Sequence, residues 1–327
     1  MLCYVLMTAT DIKGWLTGPA AKEITLMRVF VTGASGWIGS AVVPELLEAG
    51  HQVVGLARSD ESAEALVAAG ATAQRGSLDD LESLRAGAEA SDAVIHLAFK
   101  HDFSDYVGAG HTERAAIELF GNTLAGSDRP LLFASGVALI APGRVATEHD
   151  PSPMSGPDSP RGGSEQLALE FADRGVRSVS LRFAPTVHGD GDHGFVSTIV
   201  GVAREKGTSG YVGDGSNRWP AVHRLDAARM VRLALEKAPA GSVVHGVGEV
   251  GIAARDIAEV IGAQLDVPVT SVAPDDAAAH FGWIGGFFGL DIPASSTLTQ
   301  EMLGWTPTHP RLLEDLAAGY YTRPASR

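Results

Sequence analysis

Four short stretches of this 327-residue chain hold residue types whose spacing suits chemistry. In Gly33-Ala34-Ser35-Gly36-Trp37-Ile38-Gly39, glycines recur at i, i+3 and i+6. A turn built this way can cradle phosphate. The first glycine permits the tight bend, the second lets backbone approach a pyrophosphate, and the third lets a helix sit close on a strand. Ala57-Arg58-Ser59 offers a guanidinium fork and a hydroxyl, a set suited to an isolated phosphate. Lys100-His101-Asp102 sets an imidazole beside a carboxylate, which can poise it as an acid near neutral pH, and Tyr106 follows closely. His188-Gly189-Asp190-Gly191-Asp192-His193 carries two imidazoles and two carboxylates, all metal-ligand types. No third anchored ligand cluster accompanies that run, so no metal is expected.

The elements around these residues give the first two their meaning. Met27 to Val31 is an apolar run of strand length that ends at Thr32-Gly33. After the glycines comes a helical pattern with Val42, Val43, Leu46 and Leu47 apolar, which Gly50-His51 stops. Gln52 to Ala57 reads as a second strand, completing a βαβ unit whose helix N-terminus presents amides and a positive dipole end to phosphate. In such a unit the end of the second strand selects the dinucleotide. A carboxylate there accepts both adenosine ribose hydroxyls of NAD, whereas this chain has no acid before Asp60. Arg58 and Ser59 instead favour a 2′-phosphate, and NADP(H) is the expected cofactor.

Composition bounds the alternatives. Apolar residues make up 45% and charged ones 20%, the balance of a globular chain rather than a disordered or coiled-coil one. The net charge of −14 argues against nucleic acid or an anionic membrane as partner. A single cysteine, Cys3, excludes an internal disulfide and a cysteine-ligated zinc. No apolar run reaches the roughly 18 to 20 residues of a membrane span, and a cytoplasmic location is expected. Residues 1–26 read as an appendage ahead of the first strand, with Met27 an alternative start.

The chain resembles the extended or atypical short-chain dehydrogenase/reductase superfamily from Met27 to about Tyr321. The Thr-Gly-x-x-Gly-x-x-Gly turn is joined by further landmarks in order. Gly76-Ser77-Leu78-Asp79-Asp80 is similar to the loop that flanks adenine. Asp92 to Phe99 is similar to the fourth strand, whose end (Leu97, Ala98, Phe99) borders the cofactor. Leu131 to Ser135 is similar to the fifth, with Ser135 at the family's catalytic hydroxyl. Pro185, Thr186 and Val187 fall in the segment that passes the nicotinamide. Tyr211 to Gly215, Val222 to Asp226 and Leu303 to Pro307 resemble landmarks on the substrate side. The resemblance implies an α/β fold: a Rossmann-type doubly wound parallel sheet (27–186) with a smaller C-terminal α/β substrate-binding part (187–327) interleaved with it. It also implies a homodimer.

One departure bears on the chemistry. Carbonyl chemistry in this superfamily uses a Tyr with a Lys one helical turn later, and no Tyr-x-x-x-Lys occurs anywhere in the chain. Arg161 stands at the Tyr position and Glu165 at the Lys position. At i, i+4 the two would form a surface ion pair; alternatively Arg161 polarises the substrate oxygen as a fixed cation. His101 and Tyr106 are then the replacement proton donors, and Ser135 contacts the substrate oxygen. Phe281, Trp283, Ile284, Phe287 and Phe288, interleaved with glycines, form either a pocket wall or a buried edge. The expected activity is NADP(H)-dependent hydride transfer between the nicotinamide and a carbonyl or alcohol of a small apolar molecule. A non-catalytic NADP(H) sensor and a sugar-nucleotide epimerase or dehydratase are the alternatives. No basic cluster beyond Arg218 and Arg224 is evident in the C-terminal half to hold a sugar-nucleotide diphosphate.

Overall fold

The computed structural model describes residues 25–100 and 105–323. Residues 1–24 of the leading segment, and His101 with Asp102, lie outside the described residues. The first strand forms where the apolar run begins: β1 (Arg28–Thr32) buries Val29, Phe30 and Val31 completely. A strand apolar on both faces belongs in the middle of a sheet covered on both sides. The chain then alternates through α1 (Gly39–Glu48), β2 (Gln52–Ala57), α2 (Asp60–Ala68), β3 (Thr72–Arg75), α3 (Leu81–Glu89) and β4 (Ala93–His96). It continues with α4 (Tyr106–Leu124), β5 (Pro130–Gly136), α5 (Ser164–Glu170) and β6 (Arg177–Phe183).

The second half holds β7 (Thr186–His188), α6 (Phe195–Lys206), β8 (Ser209–Val212), β9 (Arg218–His223), α7 (Arg224–Lys237) and β10 (Ser242–Gly246). After these come β11 (Glu249–Ala253), α8 (Ala254–Leu265), β12 (Val269–Val272) and four short helices, α9 (Ala277–Phe281), α10 (Gly285–Phe288), α11 (Thr297–Leu303) and α12 (Leu312–Ala317).

Seven parallel strands make the main sheet, in the order β3-β2-β1-β4-β5-β6-β10. The chain runs outward from β1 to β3, then returns to place β4 on the other side of β1. This reversal opens a crevice at the carboxyl ends of β1 and β4, where such sheets bind ligands. The seventh strand comes from the C-terminal half, so the two parts share one sheet. A smaller core of Trp219, Ile257, Phe281, Ile284 and Phe288 holds α6, α8, β9 and the short helices α9, α10 and α12 together. Phe281, Ile284 and Phe288 are thus core residues. Trp283 is the exposed member of that aromatic stretch, at 55% of its surface, with its ring against Phe195.

The glycine turn leaves no room to spare. A Cβ on Gly39 would lie 2.0 Å from the Gly33 carbonyl oxygen and 2.8 Å from Ala34 Cα. Gly39→Ala should therefore cost about 3 kcal/mol through overpacking. Gly201→Ala, in the exposed part of α6 with nothing within 4 Å of the added carbon, should gain about 0.5 to 1 kcal/mol. Urea denaturation of the two variants checks the pair.

Candidate active site

The crevice is fixed first by a bond across the strand ends. Thr32 Oγ1 lies 2.7 Å from His96 Nδ1 and accepts the Ala98 amide at 3.3 Å. Burial, aided by the charge of Arg161, lowers the His96 pKa to about 3, so its ring stays neutral. This bond steers Leu97, Ala98 and Phe99 out of β4 and against the turn. Gly33 sits there at φ +68°, and a Cβ on it would meet the Ala98 nitrogen at 2.7 Å. Gly36 is different: its added Cβ would meet only the Gly33 carbonyl, at 3.1 Å. Its outer face is open backbone at the start of α1, a cradle that fits a pyrophosphate.

Trp37 ties this cradle to the second half of the chain. Its indole N–H donates to the Val187 carbonyl at 2.7 Å. The Arg224 guanidinium lies 4.3 Å above its ring, and His193 meets it edge-on at 5.5 Å. Val187, with Thr186 and Pro185 before it, is thereby held beside the turn. The His188–His193 run is engaged otherwise than by a metal: His188 Nδ1 pairs with Asp315 at 2.6 Å, and Asp192 accepts the Tyr321 hydroxyl at 2.9 Å.

At the adenosine end, Arg58 is exposed just past β2 and makes no side-chain hydrogen bond or ion pair among the described residues. Ser59 is committed to its own helix, where its Oγ accepts the Ser62 amide and donates to Ser62 Oγ, both at 3.1 Å. Asp60 lies 3.3 Å from Arg75 at the end of β3. Ser77 Oγ accepts the Asp79 amide at 3.3 Å, and Leu78 packs on the core beneath. Lys100 pairs with Asp79, joining the loop after β3 to that after β4.

At the other end the charges are arranged differently from the i, i+4 pair the sequence suggests. Ser135, near the end of β5, stands opposite Arg182 of β6 in the sheet register. Its Oγ donates to Glu165 Oε2 at 2.9 Å. Glu165 Oε1 accepts from Arg182 Nε at 2.6 Å and from Ser180 Oγ at 3.0 Å. Both members of this ion pair are buried, so each satisfies the other where water cannot. Arg182 also donates to the Asp150 carbonyl at 2.8 Å and approaches His245 Nε2 at 3.4 Å.

Arg161 looks the other way. It holds both oxygens of Glu113 on α4 and donates to the Ala134 carbonyl at 3.0 Å. Its guanidinium lies 4.6 Å over the Phe99 ring, which meets Tyr106 edge-on at 6.0 Å. Burial works against the guanidinium, but Glu113, with Tyr106 and Glu165, more than offsets it, and the pKa stays above its ordinary value. Burial raises the Tyr106 phenol, with Arg161 opposing. Arg161 adopts φ +57°, a left-handed backbone that costs a side-chain-bearing residue about 1 to 2 kcal/mol. Such outliers persist where the surroundings over-determine them. Here Glu113 and the Ala134 carbonyl do so.

Between the two pairs lies a cavity of about 30 Å³, lined by Ser135, Arg161, Glu165, Glu113, Met154 and Ser164. It has room for a water or a single oxygen-bearing group. Glu113 and Arg182 were not foreseen from sequence. The signal available was a charged residue within a buried apolar run, Arg182 in Val179 to Phe183 and Glu113 among Ala109, Ala116 and Ile117.

The chain belongs to the NAD dependent epimerase/dehydratase family, whose model matches residues 29–246. It is 50% identical to an uncharacterized protein of Schizosaccharomyces pombe, over 90% of this chain and all of that one. It is 30% identical to the decarboxylating sterol-4-alpha-carboxylate 3-dehydrogenase of Dictyostelium discoideum, over 67% of this chain and 71% of that enzyme. Among solved structures, the NAD complex of Thermus thermophilus UDP-glucose 4-epimerase superposes with a TM-score of 0.69 at 22% identity. That match covers 92% of this chain and all of that one, and it supports the fold.

Glu113→Ala leaves the Arg161 cation unpaired. With a quarter of the Arg161 side chain exposed, the loss should sit near the low end for a broken buried pair, about 3 kcal/mol. Glu113→Leu combined with Arg161→Met should recover most of it, as chemical denaturation of the single and double variants will read.

Proposed function

We propose that this family member is an NADP(H)-dependent oxidoreductase acting on the CH–OH or C=O group of a small, mostly apolar molecule. The observation that carries this reading is the position of Ser135. It stands at the carboxyl edge of the sheet that also carries the glycine turn, with its hydroxyl on a cavity shared with a fixed cation, Arg161. A nicotinamide bound there would supply or take a hydride. The protein's own residues orient and bind. The Gly33–Gly39 turn and the start of α1 hold the pyrophosphate, Trp37 locks the turn to Val187, and Ser135 and Arg161 face the substrate oxygen. The likeness to a sterol dehydrogenase supports an apolar substrate.

NADP(H) is favoured by Arg58, which is exposed and uncommitted, and by Arg75 drawing Asp60 into an ion pair. The sugar-nucleotide reading finds less support. A depression of about 500 Å³ in the second half of the chain has Arg218 as its one cation among the lining residues. Arg218 is held through two nitrogens by Asp291, at 2.9 and 3.0 Å. A diphosphate entering there must displace a carboxylate. One observation favours the sensor reading: Arg161 and Glu165 are both engaged with internal partners, so neither reproduces a Tyr and Lys pair.

Arg58→Ala should weaken NADPH by roughly 1.5 to 3 kcal/mol, the scale of a charged hydrogen bond, while NADH affinity stays put. Calorimetric titration with both dinucleotides reads this directly. Equal loss of both, or of neither, removes Arg58 from cofactor selection. Depletion of NADPH at 340 nm against aldehydes and ketones, and its formation from NADP+ with alcohols, separates the enzyme from the sensor. A sensor binds the dinucleotide and turns nothing over.

A further inference from the structure

The hydrogen on Ser135 has a fixed direction. A serine hydroxyl carries one hydrogen and two lone pairs, and here the hydrogen goes to Glu165 Oε2. The groups facing Glu165 from each neighbouring element are Ser135 on β5, Ser180 and Arg182 on β6, and Arg161 ahead of α5. His245 on β10 lies behind Arg182, and Glu113 on α4 lies behind Arg161. The three groups bonded to the carboxylate act as donors to it. Ser135 therefore offers the cavity lone pairs. A lysine at position 165 would leave the serine hydrogen free to point at a ligand, and a carboxylate there reverses this.

The opposite wall is a donor. Arg161 spends Nε and one terminal nitrogen on Glu113 and Ala134. Its other terminal nitrogen, Nη1, makes no hydrogen bond among the described residues. An oxygen placed between the two walls can accept from Arg161 but must itself donate to Ser135. A hydroxyl does both; a carbonyl oxygen does only the first.

We infer that the site selects the hydroxyl form of its substrate, and that Ser135 with Glu165 forms a proton-accepting pair for alcohol oxidation. The inference rests on the oxidoreductase reading above. In the step it describes, the substrate O–H proton passes to Ser135 Oγ as the Ser135 proton passes to Glu165. The C–H bond breaks with its electron pair going to the oxidised nicotinamide. The products are a carbonyl, a reduced dinucleotide and the proton held on Glu165. Ser135 is the group that touches substrate, and Glu165 is a positioning residue that acts through it.

The test compares cyclohexanol with cyclohexanone as ligands of the full chain, with and without NADP+, by saturation-transfer NMR competition. The wild-type protein should prefer the alcohol by roughly 5-fold, one net hydrogen bond. Ser135→Ala, which leaves Glu165 and Arg182 paired, should bring the ratio to about one by removing that bond. In Glu165→Gln the amide can donate to Ser135 and turn its hydrogen toward the cavity, so the preference should move to the ketone. If Arg182 without its counter-charge prevents that variant from folding, Ser135→Ala decides alone. Equal binding by the wild type, no signal from cyclohexanol, or a ratio unchanged in Ser135→Ala would overturn the inference. Dinucleotide-linked turnover together with a ratio of one would sink this inference and leave the oxidoreductase standing. An alcohol preference without turnover on any substrate would do the reverse.

Discussion

A carboxylate removed from water needs donors on nearly every lone pair and a cation close by, because desolvation costs it several kcal/mol. Glu165 meets that requirement by drawing in Ser135, Ser180 and Arg182, and so it joins α5 to both strands at the working edge of the sheet. The geometry of the site follows from this demand. Arg182 can answer it only because β5 and β6 pair in the register that sets Ser135 opposite it. Arg161, displaced from a role beside Glu165, turns to Glu113 and closes the other side of the cavity. Two ion pairs, one buried and one whose arginine is partly exposed, each between elements distant in sequence, thus stand where the resemblance would place one tyrosine and one lysine.

The dinucleotide end depends on close approach rather than charge. Backbone meets backbone where Gly33 faces Ala98 and where Gly39 faces Gly33. The bond between Thr32 and His96 holds the two central strands at that spacing. Trp37 then carries the constraint across to β7, tying the glycine turn to the segment beside it.

Much of this was legible in the sequence, and the reasons are local. Apolar runs of strand length, glycines three apart and a helix stop at Gly50 are all read within about 25 residues, and the βαβ unit came out as expected. The position of Ser135 at a strand end was legible through resemblance, which supplies long-range order that periodicity does not. The partners of Arg161 and Glu165 were not legible. Four residues of spacing on an assumed helix suggested a mutual pair. However, Arg161 precedes α5 with a left-handed backbone, so the two side chains do not share a helical face. Their true partners lie 48 and 17 residues away, brought near by the sheet and by α4. Only the presence of charge inside apolar runs hinted that something must neutralise it.

The two ion pairs also constrain how this chain can change. Exchanging Arg161 for tyrosine in one step would strand Glu113 without a counter-charge. Exchanging Glu165 for lysine would set two cations side by side against Arg182. Each single step toward the tyrosine and lysine arrangement passes through a protein with an unneutralised buried charge, so reaching it requires at least two coordinated substitutions. The site behaves as a ratchet, and its paired charges hold this chain to whatever chemistry they support.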